Sequence, residues 1–342
     1  MAGDFFCLDL GNNYVRVADA NVSEQTVDIS SLGSIACPLN IFLNPNEKSI
    51  DEAAKSVEKL VNDLKITKKN VNIILPDTYS YSQILPMPYL KEKELFSAIK
   101  YQADQFIPLP LDEAALDLNI ISEDKTKKNL LILIVAASQK LIDIVVRVVE
   151  KVGLIPQNIE NEVSAAGKLL TTIYKNKTNK QPLIIVNLGY YSTSLYYYDP
   201  QLNLIHDIHN FKVGLDLFSR EVQVNFNLDK QKTNEALKTI GLGKNGSLNM
   251  EEILKPVFND FVAEIEKFIL AIKEKEKIPA VEQILTFNLS NQINLFDKGL
   301  ENRLGIKTGQ LSLEPMVKKN ANANVFMQQP GAFISVIGGN IS

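Results

Sequence analysis

Cysteine is scarce in this 342-residue chain, with only Cys7 and Cys37. Both stand in apolar or turn-flanking stretches, so no disulfide framework is expected, and buried free thiols in a reducing compartment are. Long apolar runs are missing too: none approaches the roughly 18–20 residues that span a bilayer. Asp4 and Asp9 interrupt the short apolar stretch near the N-terminus and no basic region precedes it, so it is not read as a secretion signal. The expected location is the cytoplasm, at a membrane only through a partner. No block of Lys and Arg is interleaved with aromatics and the net charge is −4, which gives no footprint for nucleic acid. Histidine is limited to His206 and His209. They flank Asp207 on an expected strand, with no cysteine or further histidine nearby, so no metal site is assigned. No Ser–His–Asp or Cys–His pairing stands out, and no catalytic residue is assigned.

What is present reads as a soluble α/β protein. Hydrophobic residues make up 45% and charged residues 22%, and the length calls for two lobes or several subdomains. Phe5 to Leu10 reads as a strand, Gly11-Asn12-Asn13 as a turn, and Tyr14, Val15 and Val17 as a second strand. Ser49 is expected to open a helix, with Glu52 completing a capping box. Strands are expected at Val71–Leu75, around Leu116, Leu118 and Ile120, and at Leu130–Ala137. A helix is expected over Lys91–Phe106, with Leu95, Ile99, Ala103 and Phe106 on its apolar side and Pro108 and Pro110 ending it. Ser138 is expected to cap the following helix and Gly153 to end it. After a helix at 161–174 and a polar linker at 175–181, the same syntax restarts. "VNLGYYSTSLYYY", Val186 to Tyr198, sits in a second strand–glycine–strand hairpin, and a long amphipathic helix follows from Met250 to about Lys275. Two hairpins opening two α/β halves imply an internally duplicated fold.

Two such halves resemble the actin-like superfamily, the ribonuclease H-like duplicated fold whose hairpins face each other across a nucleotide cleft. The stretch "IKYQADQFIPLPLDEAALDL", Ile99 to Leu118, resembles the signature of the type IV pilus assembly PilM family. "LDLGNNYVRVAD" and "LGYYSTSL" match its two hairpins, "NFNLDKQKTNEALK" its helix–helix segment, and "KPVFNDFVAEIEKFI" the long helix that follows. The resemblance covers essentially the whole chain. It implies FtsA-type subdomains: 1A at 1–84 and 155–180, inserted 1C at 85–154, 2A at 181–214 and 280–342, and 2B at 215–279.

The resemblance also identifies a nucleotide site and shows how this chain departs from it. The superfamily's first hairpin reads Asp-x-Gly-x-Ser/Thr. Asp9 and Gly11 fit, Asn12 lies in the turn, and Asn13 takes the hydroxyl position. The second hairpin calls for an aspartate where Asn187 stands and for small residues after Gly189. Tyr190 and Tyr191 stand there instead, ahead of Ser192 and Thr193. An amide in place of a carboxylate weakens a magnesium shell built on carboxylates and phosphates. Glu235 and Lys238 fall where the family places helix residues near adenine. "ILTFNLSNQINLF", Ile284 to Phe296, lacks the adenosine-loop glycines, and Phe287 and Leu289 would take that space. ATP or ADP with Mg is therefore expected to bind weakly or not at all, without hydrolysis. On residue type alone, Asp9 serves equally well as a turn hydrogen-bonder, and Glu235 with Lys238 as a solvated helical pair.

The family further implies a cytoplasmic scaffold that takes the N-terminal cytoplasmic tail of the membrane protein PilN in the groove between 1A and 1C, coupling it to the motor ATPases of the pilus platform. The matching residues are Tyr101, Gln102, Gln105, Phe106, Ile107, Pro108 and Pro110. A rigid Pro-x-Pro corner holds apolar side chains in place at little ordering cost. Phe106 and Ile107 read equally well as core, whereas Tyr101 and Gln105 lie off the apolar stripe. Self-association is compatible with such a role. A nucleotide-gated switch or slow ATPase is the alternative. An FtsA-like division filament ranks lower, because "AFISVIGGNIS" is not a basic amphipathic helix.

Overall fold

A one-residue shift between strands decides which side chains share a face, and the first hairpin sets this phase for the whole half. The computed structural model describes residues 4–37, 39–90, 92–102, 107–126, 128–175, 181–246 and 248–341. In it β1 (Phe5–Leu10) and β2 (Tyr14–Val22) pair antiparallel, with Leu10 opposite Val15 and Asp9 opposite Arg16. β3 (Val27–Ala36) extends the meander, and α1 (Glu47–Asp63) leads to β4 (Asn70–Leu75), parallel to β1. The chain then leaves this sheet. β5 (Ser80–Pro88), α2 (Glu92–Gln102), β6 (Ala114–Asp124) and β7 (Asn129–Ser138) build a separate sheet of order β5-β7-β6. It returns through α3 (Gln139–Glu150), β8 (Ile155–Asn161) and α4 (Glu162–Tyr174), which completes the order β3-β2-β1-β4-β8.

Alternation along the strands sorts the core. Phe6, Leu8, Leu10, Val15 and Val17 pack in one cluster with Val57 and Leu60 of α1 and Val145, Val148 and Val149 of α3. Cys7, Asp9 and Arg16 take the other parity and lie on the opposite face. α3, which the expected insertion at 85–154 includes, thus packs with α1 on the first sheet. The start of α1 differs from expectation. Asn46 is its N-cap and accepts from Ser49 N at 3.0 Å, while Ser49 Oγ accepts from Asn46 N at 3.0 Å. The box closes between Asn46 and Ser49, one turn earlier, because Asn46 supplies the better-placed acceptor. Ser138 stands at the N-cap of α3 as expected but makes no side-chain cap bond, and Gly153 beyond it is left-handed at φ +71°.

The second half repeats the plan. β9 (Leu183–Leu188), β10 (Thr193–Asp199) and β11 (Leu204–Phe211) form the meander. α5 (Leu215–Phe226), α6 (Lys230–Thr239), the short strands β12 (Lys244–Asn245) and β13 (Leu248–Asn249), and α7 (Met250–Glu276) follow. β14 (Gln283–Asn288) then pairs parallel with β9, and α8 (Phe296–Leu304) leads to β15 (Lys307–Gln310). The order β11-β10-β9-β14-β15 is that of the first sheet, strand for strand.

Two short helices close the chain, α9 (Ala323–Gln328) and α10 (Ile334–Gly338). The chain divides into two compact units, Met1–Thr172 with Asn320–Asn322 and Ser335–Ser342, and Ile173–Lys319 with Ala323–Ile334. The C-terminal segment thus belongs to the first unit. Asn340 donates to Ala18 O and accepts from Ala20 N, each at 3.2 Å, while Asn72 donates to Gly339 O at 3.1 Å. A Cβ at Gly339 would collide with Cys7 Sγ, so only glycine lets this strap lie against β1.

Candidate functional site

The first hairpin buries its charge. Asp9 is 1% and Arg16 4% exposed, and Arg16 Nη1 lies 3.4 Å from Asp9 Oδ2. The Arg16 guanidinium also sits over the Tyr14 ring, 3.7 Å from its centroid. Burial pushes the Asp9 carboxyl up to about 6, although Arg16 pulls the other way. Asp9 Oδ1 has no hydrogen-bond partner among the described residues. A Cβ at Gly11 would strike the Tyr14 ring, so that ring covers the close backbone approach a phosphate would use. Asn12 turns inward: its Oδ1 accepts from Tyr79 OH at 2.6 Å and from Asn40 Nδ2 at 2.9 Å. Asn13 contributes its carbonyl, which accepts from Cys37 N at 2.9 Å.

The second hairpin is neutral. Asn187, 1% exposed, accepts from Asn288 Nδ2 at 2.9 Å and donates to Tyr196 OH at 3.0 Å, so both ends of the amide are engaged. Gly189 N donates to Ser192 O at 3.0 Å, closing the turn, and Thr193 Oγ1 donates to Val213 O at 2.6 Å. Leu215 N and Asp216 N, at the start of α5, donate to Gly189 O and Tyr190 O at 3.1 and 2.9 Å. The turn thus occupies the first amides of α5. Tyr190 and Tyr191 meet edge to face at 4.7 Å. Phe287 within β14 and Leu289 just after it are buried, and the Gly331 backbone packs on Phe287. Glu235 and Lys238 are exposed on α6.

A magnesium–nucleotide group fits these residues poorly. The first carboxylate is held by an arginine in the interior, and the second position is an amide with both ends bonded. One carboxylate with a single spare oxygen is short of the acceptors a hydrated Mg²⁺ uses.

The Pro-x-Pro corner is placed by the separate sheet. Ile107 is 4% exposed and packs with Leu95, Ile99, Ile132, Ile134 and Ala136, so its side chain belongs to that sheet's core. Pro108 and Pro110 are exposed. Pro110 O accepts from Glu113 N at 3.0 Å, and Glu113 O accepts from Gln139 N at 2.8 Å, fixing the corner to the start of α3. Tyr101 and Gln102 end α2; Ala103, Asp104, Gln105 and Phe106, expected as the rest of that helix, lie outside the described residues.

His206, Asp207 and Glu276 bring three ligand-type atoms within 4.8 Å of one another. His206 Nδ1 lies 3.0 Å from Asp207 and 3.3 Å from Glu276, and the Lys275 ammonium bonds Asp207 Oδ1. This cluster is an ion-pair network that already holds its own cation. Asp207 lies well placed for it: its hydrogen bonds to His206 and Lys275 outweigh burial and lower its pKa. Reading by residue type missed Arg16, Asn288 and Tyr196; the hairpin register alone puts Arg16 opposite Asp9.

Two matched five-stranded sheets, each opened by a glycine-turn hairpin, define an actin-like fold. A family model described as type IV pilus assembly protein PilM matches residues 7–335, and the chain belongs to that family. Among solved structures, the PilM–PilN type IV pilus biogenesis complex aligns with a TM-score of 0.83 at 16% identity, over 99% of this chain and 98% of that one. The ethanolamine utilization protein EutJ from Carboxydothermus hydrogenoformans aligns at 0.51 and 11% identity, over 98% and 88%. No described helix is long and apolar enough to cross a membrane.

Proposed function

We propose that this protein is a cytoplasmic scaffold of the type IV pilus inner-membrane platform, which binds the N-terminal tail of PilN and couples it to the motor ATPases. The observation that carries this reading is the family match over 7–335. The solved neighbour is itself a PilM–PilN complex, which supports the choice of partner. The tail is assigned to a groove beside the Pro-x-Pro corner, between 1A and 1C, with Tyr101, Gln102, Gln105, Phe106, Pro108 and Pro110 as its contacts. The subdomain division given above is part of the proposal, with α3 moved to 1A on the strength of its packing against α1. Peripheral association with the membrane follows from the partner.

Titration of a labelled PilN-tail peptide tests the groove. Gln105→Ala with Phe106→Asp is expected to weaken capture at least about tenfold, the loss of a binding hot spot, while the melting temperature holds. Unchanged affinity in that double variant would end the assignment. A second reading, a nucleotide-gated switch, rests on the spare buried oxygen of Asp9. Calorimetry with Mg and ATP separates the two: micromolar binding that Asp9→Ala removes would replace the scaffold-only reading.

A further inference from the structure

α7 is held on β11 by two different means along its length. Phe261 meets Phe211 edge to face at 5.3 Å. Further on, the His209 ring lies nearly parallel to Phe211 and Phe268, with centroids 6.1 and 6.0 Å away. Phe268, Ile269 and Ile272 are buried, and this apolar contact persists whatever the charge on His209. His209 Nε2 lies 3.2 Å from Glu264, but Lys267 already pairs with that carboxylate at 2.6 Å. Past Ile272 the means change. No side chain from Lys273 to Glu276 is buried, so the last turn has no apolar anchor. Among the described residues its ties to β11 are ionic: the Lys275 ammonium with Asp207, and Glu276 Oε1 with His206 Nδ1 at 3.3 Å.

These charges balance in one protonation state. With a proton on His206 the cluster holds two cations, His206 and Lys275, against two anions, Asp207 and Glu276. Without it, Lys275 alone faces both carboxylates, and Glu276 stands at the negative end of the α7 macrodipole. From β10, Tyr197 meets the His206 ring edge to face at 6.5 Å. The Tyr197 hydroxyl stays neutral, since burial raises its pKa and Asp199, Glu276 and Asp207 add to the rise.

We propose that His206 is a proton-operated latch, which docks the last turn of α7 on β11 when protonated and releases it when neutral. Histidine is the side chain whose charge changes in the neutral range. Its hydrogen bond with Asp207 raises the His206 pKa above the ordinary 6.5; burial opposes this, Glu276 adds to it and Lys275 works against it. A folded value above the unfolded one sets the sign: the stabilisation is full below pH 6.5 and is lost as pH rises through the folded value.

The neutral ring can still donate from Nδ1, but a neutral hydrogen bond has roughly half the strength of a charged one. A turn without buried apolar contacts belongs to the least stable parts of a fold, so it opens without the rest of α7. Release moves the start of the connection to β14 back from residue 277 to residue 273. The tie between the helical segment and the second sheet is thereby loosened at one end.

Nuclear magnetic resonance reads the latch locally. Helical Cα shifts of Lys273–Glu276 are expected to fall by at least about half between about pH 5.5 and about pH 8.5. The midpoint should match that of the His206 ring, while the shifts of Phe261–Phe268 hold. His206→Asn, which never carries the charge, is expected to show the released end at both pH values. His206→Arg, which always carries it, is expected to keep the turn docked at the higher pH. Asp9, the other group placed near pH 6, lies in the first unit, so Asp9→Asn is expected to leave the α7 transition in place. Shifts independent of pH, a midpoint that departs from the ring's, equal behaviour of His206→Asn and His206→Arg, or loss of the transition in Asp9→Asn would each overturn the proposal. The first two outcomes need only the unmodified chain, and thermal melts confirm that each variant is folded.

Discussion

The two hairpins put a polar residue at the same point, two positions before the turn glycine, and bury it in different company. Asp9 faces Arg16 across its hairpin, and Asn187 faces Ser194 across its own. The first half keeps a carboxylate and must bring a cation inside with it. The second replaces charge with an amide and satisfies it with Asn288 and Tyr196. A buried ion pair recovers its desolvation cost only with good geometry, and 3.4 Å is a loose contact. The raised Asp9 pKa records the shortfall. The amide avoids that cost. The duplicated fold thus solves one burial problem twice, once with charge and once without.

The sharpest way to break the comparison is to remove the cation. Arg16→Met leaves the Asp9 carboxylate alone in the interior and is expected to cost about 3–5 kcal/mol at pH 8. The loss should shrink at pH 5, where Asp9 is protonated, and in an Asp9→Asn background. Urea melts showing the same loss with or without Asp9 would contradict the pairing.

A pH series gives the next largest effect. The folded Asp9 pKa of about 6 lies above its ordinary 3.8, so between those values the folded chain holds more protons than the unfolded one. Stability from this group is therefore full below about pH 4 and falls as pH rises through about 6, by roughly 3 kcal/mol. Subtracting the Asp9→Asn profile isolates this slope, and a difference that is flat or rises with pH would refute it. Asn187→Ala, by contrast, removes two buried bonds and is expected to cost about 1–3 kcal/mol, equally at pH 5 and pH 8; a pH-dependent loss would show that the second hairpin is not neutral. The smallest effect belongs to Tyr191→Ala. The edge-to-face share of that loss is about 0.5–1.5 kcal/mol, and Tyr191→Phe, which keeps the ring contact, is expected to recover it in thermal melts; no recovery would show that the ring contact is not what stabilises the turn.

Local chemistry was legible in the sequence and distant chemistry was not. A turn glycine marks both hairpins, and alternation at Leu116, Leu118 and Ile120 marks the apolar face of β6, because these signals act within a few residues. The misplaced start of α1 shows the limit even there: Asn46 and Ser49 both cap well, and only the closed box between them decides. Arg16 was readable through the hairpin register. Asn288 was not, since it reaches Asn187 across 101 residues on a strand that pairs parallel after a long crossover. Ile107 illustrates a third case. Its type suits a core and a docking groove alike, and only the three-stranded sheet beneath α2 assigns it.

The strap at Asn340 sets the order in which the molecule can be finished. The ribosome makes β1 and β2 first, yet the backbone groups of Ala18 and Ala20 that Asn340 takes up wait for almost the last residue translated. Every residue of the second unit has been made by Ile334. Domains usually mature in the order of synthesis; here the half begun first is completed last. Released chains truncated after Ile334 are expected to resist protease over 183–319 while 5–75 is still cut, and equal protection of both halves would show that the strap is dispensable.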